Sequence, residues 1–216
     1  MIIHNLDTSN SVVNHFVSEI RDVDIQKDPM RFRRNIERIG EILSYEFSKK
    51  LHFKDQLIRT PLGEKKIPHA SDDLVLCSIL RAGLPLHIGI LNYFDKIENA
   101  FISAYRHHTS PEDFEIKVEY LASPSLDHKI LILADPMLAT GRSLCAVYEI
   151  MKTLGNMKEI HIMAVIASTQ GMEFIANHFP ENTHLWVATV DQKLDARGYI
   201  VPGLGDAGDL AFGPKL

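Results

Sequence analysis

The sequence predicts an α/β fold, a central parallel sheet flanked by helices. One observation is that near-continuous apolar runs of strand length, such as Leu74-Val75-Leu76-Cys77-Ser78-Ile79-Leu80 and Ile130-Leu131-Ile132-Leu133-Ala134, read as strands buried on both faces. A second is that such runs alternate along the chain with helical patterns, which is how βαβ units are written. A third is size: 216 residues allow a sizeable core and fall in the range one α/β domain fills. One domain is therefore expected, with a helical N-terminal segment at about 1–52, a core at about 72–190 and a C-terminal tail at about 191–216.

The first strong element opens at Asp28-Pro29, a capping residue followed by proline in the first helical turn. Apolar residues then recur at Phe32, Ile36, Ile39, Leu43 and Phe47, the spacing of an amphipathic helix. Leu57-Ile58 and Lys66-Ile67 flank Pro61-Leu62-Gly63 and predict a small hairpin, a candidate flap over the core. After the strand at 74–80 comes a helix from Leu84 to Phe94. Further strands are predicted at Ala100–Tyr105, Lys129–Ala134, Ile160–Ala167 and Leu185–Thr189, with helices at Ser143–Leu154 and Gly171–Phe179. Residues 106–119 are the most polar interior stretch and read as a mobile loop or hairpin able to close over a ligand.

The chemistry gathers where the strand ending at Ala134 delivers Asp135 into Pro136-Met137-Leu138-Ala139-Thr140-Gly141-Arg142-Ser143, immediately before a helix. The first N–H groups of a helix have no intrahelical partner and sit at the positive end of its dipole, which suits a phosphate. Thr140 and Ser143 add hydroxyl donors. An ionised Asp135 accepts hydrogen bonds only and suits the diol of a ribose. The loop is neither a Walker-type P-loop nor a dinucleotide fingerprint, since Gly141 stands alone. By composition, an ordinary strand-to-helix connection with a glycine turn and a serine cap is an equal reading.

Other classes are disfavoured. Lys plus Arg number 23 against 28 Asp plus Glu, a formal net charge of -5, so no global field draws the chain to nucleic acid or an anionic membrane. Cys77 and Cys145 are the only cysteines, both in apolar surroundings and neither in a Cys-x-x-Cys pair, which fits a reduced, cytoplasmic protein. The start of the sequence lacks the basic and apolar regions of a signal peptide, and no apolar run is long enough to cross a bilayer.

The string Asp-Pro-Met-Leu-Ala-Thr-Gly-x-Ser at 135–143 resembles the phosphoribosyl pyrophosphate (PRPP) loop of the uracil phosphoribosyltransferases. Ile79-Leu80-Arg81-Ala82-Gly83-Leu84 resembles that family's pyrophosphate loop, and Tyr105-Arg106 falls where the family has a second arginine. Residues 198–209, Gly-Tyr-Ile-Val-Pro-Gly-Leu-Gly-Asp-Ala-Gly-Asp, resemble its uracil-binding segment. The resemblance runs from about Arg31 to the C-terminus and implies a type I phosphoribosyltransferase-like fold with a small hood or flap. It also implies conversion of uracil and PRPP to UMP and diphosphate in pyrimidine salvage, with Mg²⁺ bound mainly through the donor rather than by a protein metal site.

By that resemblance, PRPP would be held by Arg81, Arg106, Asp135, Pro136, Met137, Leu138, Ala139, Thr140, Gly141, Arg142, Ser143 and Asp206. Uracil would be held by Ile200, Gly205, Asp206 and Ala207, with Asp206, Asp135 and Arg106 nearest the chemistry. Guanidinium groups suit pyrophosphate because they stay charged and present parallel donors. The motifs after residues 80, 105 and 134 would share the carboxyl end of the sheet. The resemblance further suggests a homo-oligomer, a dimer or assembly of dimers, and GTP activation as in some relatives.

One departure from the family string is Arg142, where a second glycine is usual; a helical backbone there would tolerate arginine. The adjacent His107 and His108 lack companions at metal-ligand spacing and read as loop residues. An RNA-binding regulator on the same fold would call for a basic face that no Lys/Arg cluster here supplies. A transferase for a purine base, or for xanthine, fits the tail poorly. The intact Asp135, Thr140, Ser143, Arg81 and Asp206 argue against a catalytically silent homologue.

Overall fold

The structure is a computed structural model that describes residues 1–108 and 114–215, with side chains described for 1–103 and 118–215. The chain opens with strand β1 (Ile2–Asn5), helix α1 (Val13–Arg21) and helix α2 (Pro29–Ser48). Strands β2 (Phe53–Thr60) and β3 (Gly63–Ala70) precede β4 (Leu74–Leu80), helix α3 (Leu84–Leu91), β5 (Glu98–His108) and β6 (Phe114–Ala122). Next come β7 (Ile130–Ala134), the short β8 (Met137–Leu138), helix α4 (Arg142–Met151), β9 (Glu159–Ser168), helix α5 (Thr169–Ala176) and β10 (His184–Asp191). The tail holds β11 (Lys193–Leu194), β12 (Ile200–Val201) and helix α6 (Ala207–Phe212).

Among the described residues the main sheet has eight strands in the order β1-β10-β9-β7-β4-β5-β6, with β8 pairing on β9. All neighbouring pairs are parallel except β5 with β6. The expected parallel sheet is thus mixed at one edge, because β5 and β6 pair as antiparallel neighbours, from Phe101 opposite Ala122 to His108 opposite Phe114. Residues 109–113 lie outside the described set.

The alternation of side chains along each buried strand divides the core into two layers. Leu74 and Leu76 face a cluster with Phe32, Ile36, Ile39, Leu43 and Phe47 of α2 and Leu86 and Ile90 of α3. Val75, Cys77 and Ile79 face a second cluster with Leu144, Val147, Tyr148 and Met151 of α4. Helix α2 begins as the sequence indicates: the Asp28 carboxylate accepts from the N–H groups of Met30 (3.0 Å) and Arg31 (3.2 Å), with Pro29 in the first turn. Burial pushes the thiol of Cys77 up to about 12 and that of Cys145 up to about 11, so both stay protonated at neutral pH.

Strands β2 and β3 form the predicted hairpin as a separate two-stranded sheet, exposed along nearly its whole length. No helix among the described residues is long and apolar enough to cross a membrane. The strand order places a reversal between β7 and β4, because the chain leaves β4 for β5 on one side and returns to β7 on the other. A crevice at the carboxyl ends of these two strands is where open α/β sheets bind ligands.

Candidate active site

Asp135 is the first residue after β7, half-buried, and its Oδ1 accepts from the Met137 N–H at 3.2 Å. The loop that follows is not free coil. Met137 and Leu138 make a two-residue strand against Ile166 and Ala167 of β9, and the Pro136 carbonyl accepts from the N–H groups of Val165 (3.1 Å) and Ile166 (3.0 Å). The Ser168 hydroxyl donates to the Ala139 carbonyl at 2.6 Å. Every anchor comes from the next strand, so the loop's path is fixed before any ligand arrives.

Gly141 turns the chain into α4 with φ +76°, the left-handed region, and a Cβ there would lie 2.8 Å from Ile175 Cγ2. Both the conformation and the space demand glycine. Arg142 is the first residue of α4 and is exposed; its backbone does not have positive φ, so arginine is accommodated. The N-cap of α4 is Gly141, which has no side chain of its own, and the Arg142 N–H reaches Thr140 Oγ1 at 3.5 Å, so the start of the helix opens directly onto the loop. Asp135, Met137, Leu138, Ala139, Thr140, Gly141 and Ser143 line a small depression of about 30 Å³, and any larger group must lie across the loop's open side.

Arg81 follows β4 through a cis peptide after Leu80. A Cβ on Gly83 would sit 3.0 Å from the Ala134 carbonyl, which brings the Arg81 turn against the end of β7 next to Asp135. The Arg81 Nη2 donates to Asp209 Oδ1 at 2.8 Å and to the Gly213 carbonyl at 2.6 Å. The Arg81 Nε is buried without a hydrogen-bond partner among the described residues. The backbone of Arg106 pairs with Ile116 inside β5, which runs on to His108. Tyr105-Arg106 is therefore within a strand rather than past its end, the hairpin pairing having extended it. The side chains of Arg106, His107 and His108 lie outside the described set.

The tail is more ordered than its glycine content indicates. Ile200, nearly fully buried, pairs with Leu194, and Gly205 has φ +96°. Asp206 caps α6, its Oδ1 accepting from the Asp209 N–H at 3.0 Å, while its Oδ2 lies 3.5 Å from Lys215 Nζ. Ala207 begins α6 and is buried. A Cβ on Gly208 would be 3.7 Å from Ala82 Cβ and 3.1 Å from Asp206 Oδ1, so tail and pyrophosphate-loop candidate are in contact. Arg21, Gln26, Gly203, Gly205, Asp206 and Asp209 border a cavity of about 550 Å³.

The structure thus brings Arg81, Asp135 and the tail to one end of the sheet. Sequence reading missed Arg21, Asp191 and Asp209. Asp191 carried a signal, a carboxylate at the end of an apolar strand much as Asp135 is, and Asp209 closes the 198–209 segment, whereas Arg21 carried none because its partners are distant in sequence.

Comparison with known proteins bears on this arrangement. The sequence model described as "Uracil phosphoribosyltransferase" matches residues 7–214, further toward the N-terminus than the resemblance read from about Arg31. A protein of Porphyromonas gingivalis named uracil phosphoribosyltransferase is 53% identical over 215 residues, covering 100% of this chain and 99% of its own. Among solved structures, a protein from Aquifex aeolicus superposes with a TM-score of 0.86 at 30% identity, covering 98% of each chain. A hypoxanthine phosphoribosyltransferase from Staphylococcus aureus superposes with a TM-score of 0.52 at 15% identity, covering 86% of this chain and 83% of its own, and shares the fold alone. The chain belongs to the uracil phosphoribosyltransferase family.

Proposed function

We propose that this chain, as one phosphoribosyltransferase domain, transfers the 5-phosphoribosyl group of PRPP to N1 of uracil, giving UMP and diphosphate. The observation that carries the reading is the meeting, at the carboxyl ends of β7 and β4, of an acceptor carboxylate, a helix N-terminus entered through a left-handed glycine, and an arginine whose Nε has no partner among the described residues. Asp135 accepts the ribose hydroxyls, while the backbone and hydroxyls of residues 139–143 hold the 5-phosphate. Arg81 and Arg106 take the diphosphate end. Main-chain groups at Ile200 and Gly205-Asp206-Ala207 read O2, N3–H and O4 of uracil, with glycine at 205 permitting close approach of the planar base.

In the reaction the N1–C1 bond forms as the C1–oxygen bond of the donor breaks; diphosphate leaves with the bonding pair, and the N1 proton of uracil passes to solvent. Positive charge grows on the ribose ring and negative charge on the leaving group, so positioning and electrostatics do the catalysis, without a protein nucleophile. The carboxylate of Asp206, bordering the cavity, orients substrate as N1 attacks.

The residues fit Mg²⁺ in a limited way. Among the described residues no cluster of three or more ligating side chains exists, and Asp206 has one oxygen committed to capping α6. Such a donor set suits an ion carried mainly by substrate oxygens and water, neutralising the diphosphate. We also infer a homo-oligomer, supported by the exposed apolar residues Leu57, Leu62 and Ile67 on the projecting β2–β3 hairpin. Two protonated, buried thiols support a cytoplasmic setting.

The test is incubation with PRPP and Mg²⁺ and, separately, uracil, cytosine, hypoxanthine, xanthine or guanine, with and without GTP, following nucleotide and diphosphate. Product with uracil alone is expected. A GTP-dependent rate would add the effector, and turnover of a purine in preference to uracil would overturn the reading.

A further inference from the structure

We infer that Arg21 and Asp191 form a positioning pair that locks the peptide at Gly203 and thereby sets the geometry with which residues 200–207 read the base. The inference rests on the assignment of the tail to uracil given above.

Arg21, the last residue of α1, meets Asp191, the last residue of β10, through two parallel bonds: Nη1 to Oδ2 at 2.7 Å and Nη2 to Oδ1 at 3.0 Å. The same two side chains satisfy both polar groups of Gly203. Arg21 Nη1 donates to its carbonyl at 3.1 Å, and its N–H donates to Asp191 Oδ2 at 2.9 Å. Arg21 Nη2 also donates to Thr189 Oγ1 at 3.3 Å, and that hydroxyl in turn donates to Asp7 Oδ2 at 2.9 Å.

Every terminal N–H of Arg21 is therefore spent on the protein. Although the residue borders the 550 Å³ cavity with Gly205 and Asp206, it acts through the turn rather than by touching substrate. The turn has little freedom of its own. Gly203 has φ +60°, and a Cβ there would fall 2.0 Å from the Ile200 carbonyl. Ile200 and Gly205 thus leave a peptide held on both sides by an ion pair whose side chains are only 21% and 9% exposed. A bidentate pair so shielded resists loosening, and removal of one member strands the other's charge.

The experiment measures KM for uracil and for PRPP, and kcat, in the wild type and in Arg21→Ala, Arg21→Lys, Asp191→Asn and the Arg21→Ala/Asp191→Ala double variant, with melting curves for each. Arg21→Ala should raise the uracil KM by about 10-fold, the worth of roughly one charged hydrogen bond, and the PRPP KM by less than about 2-fold. Arg21→Lys should fall between, since it keeps the charge and loses the fork. The double variant should lose less than the sum of its singles. Asp191→Asn keeps an oxygen for the Gly203 N–H and carries the test if Arg21→Ala does not fold. Unchanged uracil KM in the folded variants, or an equal rise in both KM values, would overturn the inference. A wild type that makes no UMP would instead overturn the functional reading on which it stands.

Discussion

The loop at 135–143, which we assign to the phosphate, and the C-terminal tail, which we assign to the base, are built in opposite ways. Residues 135–143 are held by backbone bonds to the neighbouring strand β9: the Pro136 carbonyl on Val165 and Ile166, Met137 and Leu138 in register with Ile166 and Ala167. Residues 200–213 are held by side chains from far along the chain: Arg21 and Asp191 on Gly203, Arg81 on Asp209 and Gly213, Arg33 on the Ala211 carbonyl at 2.6 Å. A loop fixed by its strand is rigid on its own account, whereas a tail fixed by distant charged groups is as well ordered as those groups are.

The contrast can be broken most forcefully at Asp206. Asp206→Asn keeps an oxygen to cap α6 but removes the charge, so kcat should fall by about 100-fold or more while the melting temperature stays close to that of the wild type. An unchanged kcat in a steady-state assay would remove the Asp206 charge from the mechanism. Gly141→Val attacks the other region. Its side chain meets Ile175 and Gly171 and its φ is forbidden, so urea denaturation should register a loss of about 2–4 kcal/mol. A loss below about 0.5 kcal/mol would mean the loop yields far more readily than its anchors imply.

The smallest effect, at neutral pH, lies at the opposite end of the strands. Burial first, then His184 and His4, pushes His161 down to about 3; its Nδ1 faces Trp186 Nε1–H at 3.1 Å, and His184 Nδ1 lies 2.9 Å from His4 Nε2. In the unfolded chain His161 returns to near 6.5, so between these values the unfolded state binds more protons. The contribution of His161 should be complete above about pH 6.5 and be lost at up to about 1.4 kcal/mol per pH unit below it, and His4 and His184, also pushed down by burial first, add to the fall. Urea midpoints at pH 7.5 and 5 check this, and His161→Gln should flatten the slope.

How much could be read from sequence follows the same division. Helix α2 was legible to its cap, and β4 and β7 to their ends, because local periodicity and a near-continuous apolar run encode them. In the loop at 135–143 the short strand β8 was not legible, since two residues cannot display a period. Strand β1 and helix α6 went unread, and α1 fell within the helical segment expected at about 1–52 without bounds of its own: β1 is short and at an edge, and α6 hides among glycines that signal turns. Arg81 was singled out by its motif, yet its grip on Asp209 and Gly213 was not foreseen, since a bond spanning 128 or 132 residues leaves no local pattern.

The most direct test of this division of labour is a crossed measurement of both Michaelis constants in Asp135→Asn and Arg21→Ala. Asp135→Asn should raise the PRPP KM by about 10-fold or more with little change for uracil, and Arg21→Ala should do the reverse. The reversed pattern, or equal effects on both substrates in both variants, would contradict the assignment of the strand-anchored loop to the donor and the side-chain-anchored tail to the base.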